Sequence, residues 1–123
     1  MISNSFESLR IWHDARQLVV RIYSCTKRGM FDHDHSLCDQ IRRAAVSVMS
    51  NIAEGHERGG KREFLRFLSI AKGSCGEVRS QLYAAEDLHY IETQLAAELR
   101  GEAALLSRRI TALAKSRMKA MSG

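Results

Sequence analysis

The stretch IRRAAVSVMSNIAEG, residues 41–55, decides the fold. At about 100° per residue, Ile41, Ala45, Val48 and Ile52 fall on one line of a helix. Ala44 and Gly55 flank that line on one side. Val46, Met49 and Ala53 extend it on the other, interrupted only by Arg42. The apolar arc spans roughly 200°, wider than the 100° stripe that suffices for a lone surface helix. The remaining sector is polar throughout: Gln40, Arg43, Ser47, Ser50, Asn51, Glu54 and Arg58. Such a helix is expected to be covered on two sides, by its own bundle and by something else.

The following segment carries the same message. Phe64, Phe67, Leu68, Ala71, Cys75, Val78, Leu82 and Ala85 make a continuous helical core face. On a separate flank Ser69, Gly73, Gly76 and Ser80 recur at i, i+4, i+7 and i+11. Each mid-helix glycine costs about 0.8–1.0 kcal/mol relative to alanine, so two call for a reason. Either another helix approaches closely across the small residues, or the segment kinks or breaks there. The core periodicity keeps phase across both glycines, which favours close approach. Together the two wide faces predict a homo-oligomer with Val46, Met49, Ser69, Gly73, Gly76 and Ser80 at the interface.

The rest of the chain fits an all-α frame. Its 123 residues include no proline and 7% aromatics, with 45% hydrophobic and 27% charged residues. That composition excludes wholesale disorder and disfavours all-β folds. Polar breaks fall at Lys27–Asp34, at Arg58–Gly60 and, more softly, at His89–Thr93. Asp34 is a candidate helix N-cap. An uninterrupted second helix is predicted from about Asp34 to Glu57. The first helix places Leu9, Trp12, Val19, Ile22 and Tyr23 on one broad side. The fourth carries a stripe of Leu95, Leu99, Ala103, Leu106, Ile110 and Leu113. Four helices with short connections predict an antiparallel up-down-up-down bundle filling one domain, 1–123, with short tails at 1–7 and 120–123.

No cofactor, metal or catalytic residue is expected. Cys25, Cys38 and Cys75 form no C-x-x-C pair, and an odd, scattered set of thiols suits a reducing compartment. Residues 1–9 show no basic-then-apolar leader, and no apolar run nears the roughly 18 residues that span a bilayer. A cytoplasmic location without a membrane partner is the expectation. The five histidines match no H-E-x-x-H or Cys/His zinc spacing. Asp32-His33-Asp34-His35 reads as capping oxygens before a helix rather than a metal site, and Glu86 with His89 falls at a break. Arg58-Gly59-Gly60-Lys61 lacks the strand that precedes a phosphate loop. Arg28 and His33 have the R-x4-H spacing of HEPN-type ribonucleases, but in a connection rather than on a helix. Ser47 and Ser50 have no histidine at helical spacing, and Cys75 falls on the core face.

Two polar patterns remain. Arg43 and Glu54 are three turns apart with Ser47 and Asn51 between them. That stripe is either a solvated face or a buried polar seam fixing register, with Glu77 and Arg79 within plausible reach. The second pattern is basic. The net charge is +5, from 19 Lys and Arg against 14 Asp and Glu. Arg58, Lys61, Arg62 and Arg66 cluster at the start of the third helix, and Lys115, Arg117 and Lys119 crowd the end of the fourth. The latter group also suits the helix dipole. Aromatic interleaving of the kind that stacks single strands is missing, so any nucleic-acid binding is expected to be electrostatic.

Gln40 to Ser47, followed by Asn51-Ile52-Ala53-Glu54-Gly55, resembles the signature of four-helix bundle proteins encoded in intervening sequences of bacterial 23S rRNA genes. Glu63 to Leu68, Ile70 to Ser74 with Glu77, Phe6 to Trp12 with Ala15, and Leu88 to Ile91 are similar to the same family. The resemblance spans about residues 6–114. It implies small cytosolic bundles without known catalytic activity, whose relatives assemble as barrel-shaped homopentamers. The similar accessory variability determinant proteins use a basic pentamer surface to bind nucleic acid and a reverse transcriptase. Met49 departs from the pattern, because relatives often have proline after the preceding pair. Two functions follow as expectations. One is a non-enzymatic homopentamer, carrying +25, that takes RNA or DNA through its basic residues. The alternative is an oligomeric scaffold that binds another protein and no nucleic acid.

Overall fold

The computed structural model describes residues 5–122. Four α-helices make up nearly all of it: α1 (Arg10–Thr26), α2 (His35–Glu57), α3 (Lys61–Asp87) and α4 (Thr93–Ser122). Two short 3₁₀ turns, Phe6–Ser8 and Gly29–His33, precede α1 and α2. Among the described residues there is no strand. Parts of both expected tails carry structure. Phe6 packs edge-on against Trp12 with ring centroids 5.0 Å apart, and α4 continues through Ser122. Residues 1–4 and 123 of those tails lie outside the described residues.

The helices begin and end where local chemistry dictates. Asp34 caps α2, its Oδ1 accepting the Leu37 amide at 3.0 Å. The helix then runs unbroken past Met49, as the absence of proline predicts. Gly59, at φ +82°, turns the chain from α2 into α3. The softer third break ends in a left-handed residue that is not glycine: His89 has φ 62°. Its amide bonds to Glu86 and the Tyr90 amide to Ala85, both at 2.9 Å, a Schellman closure.

One buried cluster draws on all four helices. On α2 the expected Ile41, Ala44, Ala45, Val48, Ile52 and Gly55 are all buried, and all eight expected core positions of α3 are too. On α4 the buried line is Ala96, Leu99, Ala103, Leu106 and Ile110, with Leu95 and Leu113 packed at its edge. The α1 expectation needs correction. Its buried line is Ile11, Ala15, Leu18, Ile22 and Cys25, turned about 90° from the predicted face, with Trp12 and Val19 only partly covered. Trp12, Val19 and Tyr23 draw a sequence reading sideways, whereas the centre of the face is Ile11 and Ile22. Arg42, which interrupts the apolar arc of α2, lies over the Tyr23 ring at 4.7 Å and donates from Nε to Thr26 Oγ1 at 2.8 Å.

The α2–α3 contact is close at Gly55. A Cβ built on Gly55 would stand 2.5 Å from the Phe67 Cβ. Within the chain, Gly73 and Gly76 mark no such approach. Both of those glycines lie on an unbroken α3, exposed, with nothing within 4 Å of an added Cβ. Gly55→Ala is expected to destabilise the protein by about 1–3 kcal/mol, because two backbones must part to admit one methyl group. A urea titration measures it, and an unchanged midpoint would show that the helices are not packed this closely.

Candidate nucleic-acid interface

The fold brings three basic stretches to one end of the molecule. The end of α2 supplies Arg58, the start of α3 supplies Lys61, Arg62 and Arg66, and the end of α4 supplies Arg117, with Lys115 and Lys119 on its last turns. What gathers them is a pair of rings. The Arg58 and Arg66 guanidiniums lie 4.8 and 4.6 Å from the Phe67 centroid, and Arg117 lies 5.6 Å from that of Phe64. His56 meets Phe64 edge-on at 5.6 Å. Phe64 and Phe67 are core positions whose rims reach the surface, so the arginine stems cover apolar carbon while their heads stay wet.

Not all of this charge is free. Arg58 donates to Glu54 Oε2 at 2.8 Å and to Glu63 Oε1 at 3.3 Å, and Arg66 donates from Nε to Glu63 Oε2 at 2.8 Å. The bond to Glu54 holds Arg58 more firmly protonated than an isolated guanidinium. The bond from Arg66 keeps Glu63 below the usual carboxylate range. Lys61, Arg62, Lys115 and Lys119 are exposed and have no ion-pair partner among the described residues. The sequence reading missed Glu63 and both rings as parts of this surface. The arginine at i+3 from Glu63 was visible, but the aromatics counted only as core.

The polar stripe of α2 divides in the same way. Ser47 and Ser74 hydroxyls meet at 2.9 Å between α2 and α3. Asn51 Nδ2 donates to the Ser47 carbonyl at 2.8 Å and to its hydroxyl at 2.9 Å. Ser74, unremarked as a seam residue in the sequence, is buried. The charges stay out of the seam: Glu54 turns to Arg58, and Arg43 is exposed with no partner among the described residues, Glu77 and Arg79 included. Of the interface candidates, Ser69, Gly73, Gly76 and Ser80 are exposed on α3, with Ile70 and Tyr83 beside them at 41% and 54% exposure. Val46 and Met49 are half-buried on α2, and Met49 packs against the core.

The sequence profile of the 23S rRNA-intervening sequence proteins matches residues 7–112. The chain belongs to that family. A crystal structure of a protein of unknown function from the S23 ribosomal protein family of Bacteroides thetaiotaomicron superposes with a TM-score of 0.77 at 18% identity. The match covers 85% of this chain and 98% of that one, which establishes a shared fold. No curated protein matches the chain. In this member of the 23S rRNA-intervening sequence family, the residues of the spacings noted in the sequence have local partners. His33 shares a hydrogen bond with the Gly29 carbonyl at 3.2 Å within a 3₁₀ turn, where Arg28 is only the cap. Glu86 accepts from Arg100 at 2.7 Å, while the Tyr90 hydroxyl donates to Asp34 Oδ2 at 2.9 Å. Among the described residues no three His, Cys, Asp or Glu side chains are grouped to hold a metal ion. No described helix is long and apolar enough to cross a membrane.

The thiols are buried and unpaired. Burial pushes Cys75 up to about 12 and Cys25 up to about 11, and it raises Cys38 as well. Burial thus holds each further from its thiolate form than an ordinary cysteine. A chromogenic thiol reagent at mildly alkaline pH is expected to leave all three untouched in the native protein and to titrate all three in denaturant. Rapid native labelling of Cys75 would contradict its place in the core.

Proposed function

We propose that this chain is a non-enzymatic homo-oligomer, pentameric by family resemblance, that binds RNA or DNA non-specifically through its basic end. Its helices run up-down-up-down. Three sets of residue pairings support that topology: Asp14 with Arg109 and Arg21 with Glu102 between α1 and α4, Ser47 with Ser74 and Gly55 with Phe67 between α2 and α3, and Glu86 with Arg100 and Phe64 with Arg117 between α3 and α4. In each set, higher numbers on one helix meet lower numbers on the next. Three unpaired, buried thiols fit a cytoplasmic site of action.

The observation that carries the nucleic-acid reading is the convergence of cations from α2, α3 and α4 on Phe64 and Phe67. Those rings are covered by guanidiniums rather than open for base stacking, so the protein meets phosphates and has little sequence preference. At about 50 mM salt the protein is expected to bind random RNA and duplex DNA, with log K falling linearly as log salt rises. Lys61→Glu with Arg62→Glu weakens that binding by about tenfold or more and lowers the salt slope by about 0.9 for each phosphate no longer neutralised. Absence of binding at low salt discards this reading and leaves the protein-interaction scaffold.

The assembly reading has its own support. Gly73 and Gly76 lie on an exposed strip flanked by Ser69, Ser80, Ile70 and Tyr83, and no described part of the chain uses the room they make. In Gly73→Ala with Gly76→Ala, helix propensity alone adds about 0.8–1.0 kcal/mol of chain stability per site. The same methyl groups obstruct a helix of another copy. The double variant is therefore expected to melt higher as a chain yet dissociate, by light scattering, at concentrations where the wild type stays associated. A wild type that is monomeric at micromolar concentration removes the assembly.

A further inference from the structure

Arg58 and Arg66 share more than a ring. Phe67 is buried, so its ring is a fixed part of the core, and the two guanidiniums stay within 4.8 and 4.6 Å of its centroid. One carboxylate serves both: Glu63 Oε1 accepts from Arg58 at 3.3 Å and Oε2 accepts from Arg66 at 2.8 Å. Two guanidiniums donating to separate oxygens of one anion is an arrangement that suits a phosphate as well as a carboxylate. We propose that Arg58 and Arg66 form a phosphate subsite whose place is held, in the free protein, by the carboxylate of Glu63.

The inference rests on the nucleic-acid reading of this end and specifies how a backbone phosphate enters it. Glu63 is a built-in competitor that the phosphate displaces. Its bonds suit that role, because Arg58, Arg66 and Glu63 side chains are 46%, 57% and 41% exposed, and ion pairs this exposed hold weakly. Glu54 engages a different nitrogen of Arg58, at 2.8 Å, so that contact need not break when Glu63 leaves. Nor need the contact of Arg66 with the ring. Glu63 also sits in the first turn of α3, where the helix dipole favours an acid, but the dipole does not require that it bridge two arginines.

The test compares two variants with the same charge change, using the full chain and a short mixed-sequence DNA duplex. Glu63→Gln frees both guanidiniums. Glu57→Gln removes an exposed acid at the same end that has no ion-pair partner among the described residues. Glu63→Gln is expected to tighten binding roughly fivefold at low salt, and to steepen the salt slope by about 0.9 for each additional phosphate neutralised. Glu57→Gln should change affinity by less than about twofold, as an exposed acid paired with neither guanidinium does. The tightening by Glu63→Gln should vanish when Arg58→Gln and Arg66→Gln are added. Equal effects of the two variants, with the wild type binding, overturn the subsite and leave the nucleic-acid reading standing. Absence of binding by every variant overturns both.

Discussion

The approach of α2 to α3 at Gly55 is the constraint on which the rest depends. With no room for a Cβ at that position, the two helices sit closer than side chains would otherwise allow, and Phe67 lies directly against the α2 backbone. Only Arg58, Gly59 and Gly60 then separate the helices, so Arg58 has little choice but to emerge over the ring just packed below it. Glu63, one turn before Phe67, is brought beside Arg58, and Arg66 reaches the same ring from the same helix. Further along, the same spacing sets Ser47 against Ser74 at hydroxyl–hydroxyl distance. Packing, seam and basic surface are successive consequences of one missing methyl group.

Much of this was legible in the sequence, and the failures have physical causes. The core faces of α2 and α3 were readable because their apolar positions repeat at helical spacing without ambiguity. The face of α1 was not, because Ile11, Trp12, Leu18 and Val19 are apolar on two adjoining sides and only packing selects between them. The close approach inside the chain falls at Gly55, which the spacing of small residues does not single out. Gly55 sat within an apolar flank and drew no attention, while Gly73 and Gly76 stood out through their spacing on a polar face. Sequence shows where a small residue is unusual; it does not show which neighbour comes close.

Charge behaved similarly. Seven cations were visible at the two chain segments that the fold joins, but the joining itself is a tertiary event with no local signal. Two of those cations, Arg58 and Arg66, are met by Glu54 and Glu63, which a tally at the level of segments overlooks. The cations of this end without a carboxylate partner among the described residues are Lys61, Arg62, Lys115, Arg117 and Lys119. Arg58 and Arg66 instead lie over the Phe67 ring with carboxylate partners. For an exposed network of this kind the ion pairs contribute little to folding. Their consequence lies in what a competing anion meets when it arrives.

The exposed glycines of α3 are a cost without a return inside the chain. A helix interior with two glycines gives up about 1.6–2 kcal/mol relative to alanine, a sizeable part of the roughly 5–15 kcal/mol that holds a domain of this size. At Gly55 the sacrifice is offset internally, by burial of Phe67 against bare backbone. At Gly73 and Gly76 nothing among the described residues offsets it, since both lie in open space on an otherwise regular helix. The proposed assembly places the compensation between copies: small residues at i, i+4, i+7 and i+11 leave a groove into which a neighbouring helix can settle at short interaxial distance. Repeating the basic end around such an assembly would also set several weak phosphate interactions to act together, which a single copy cannot do alone.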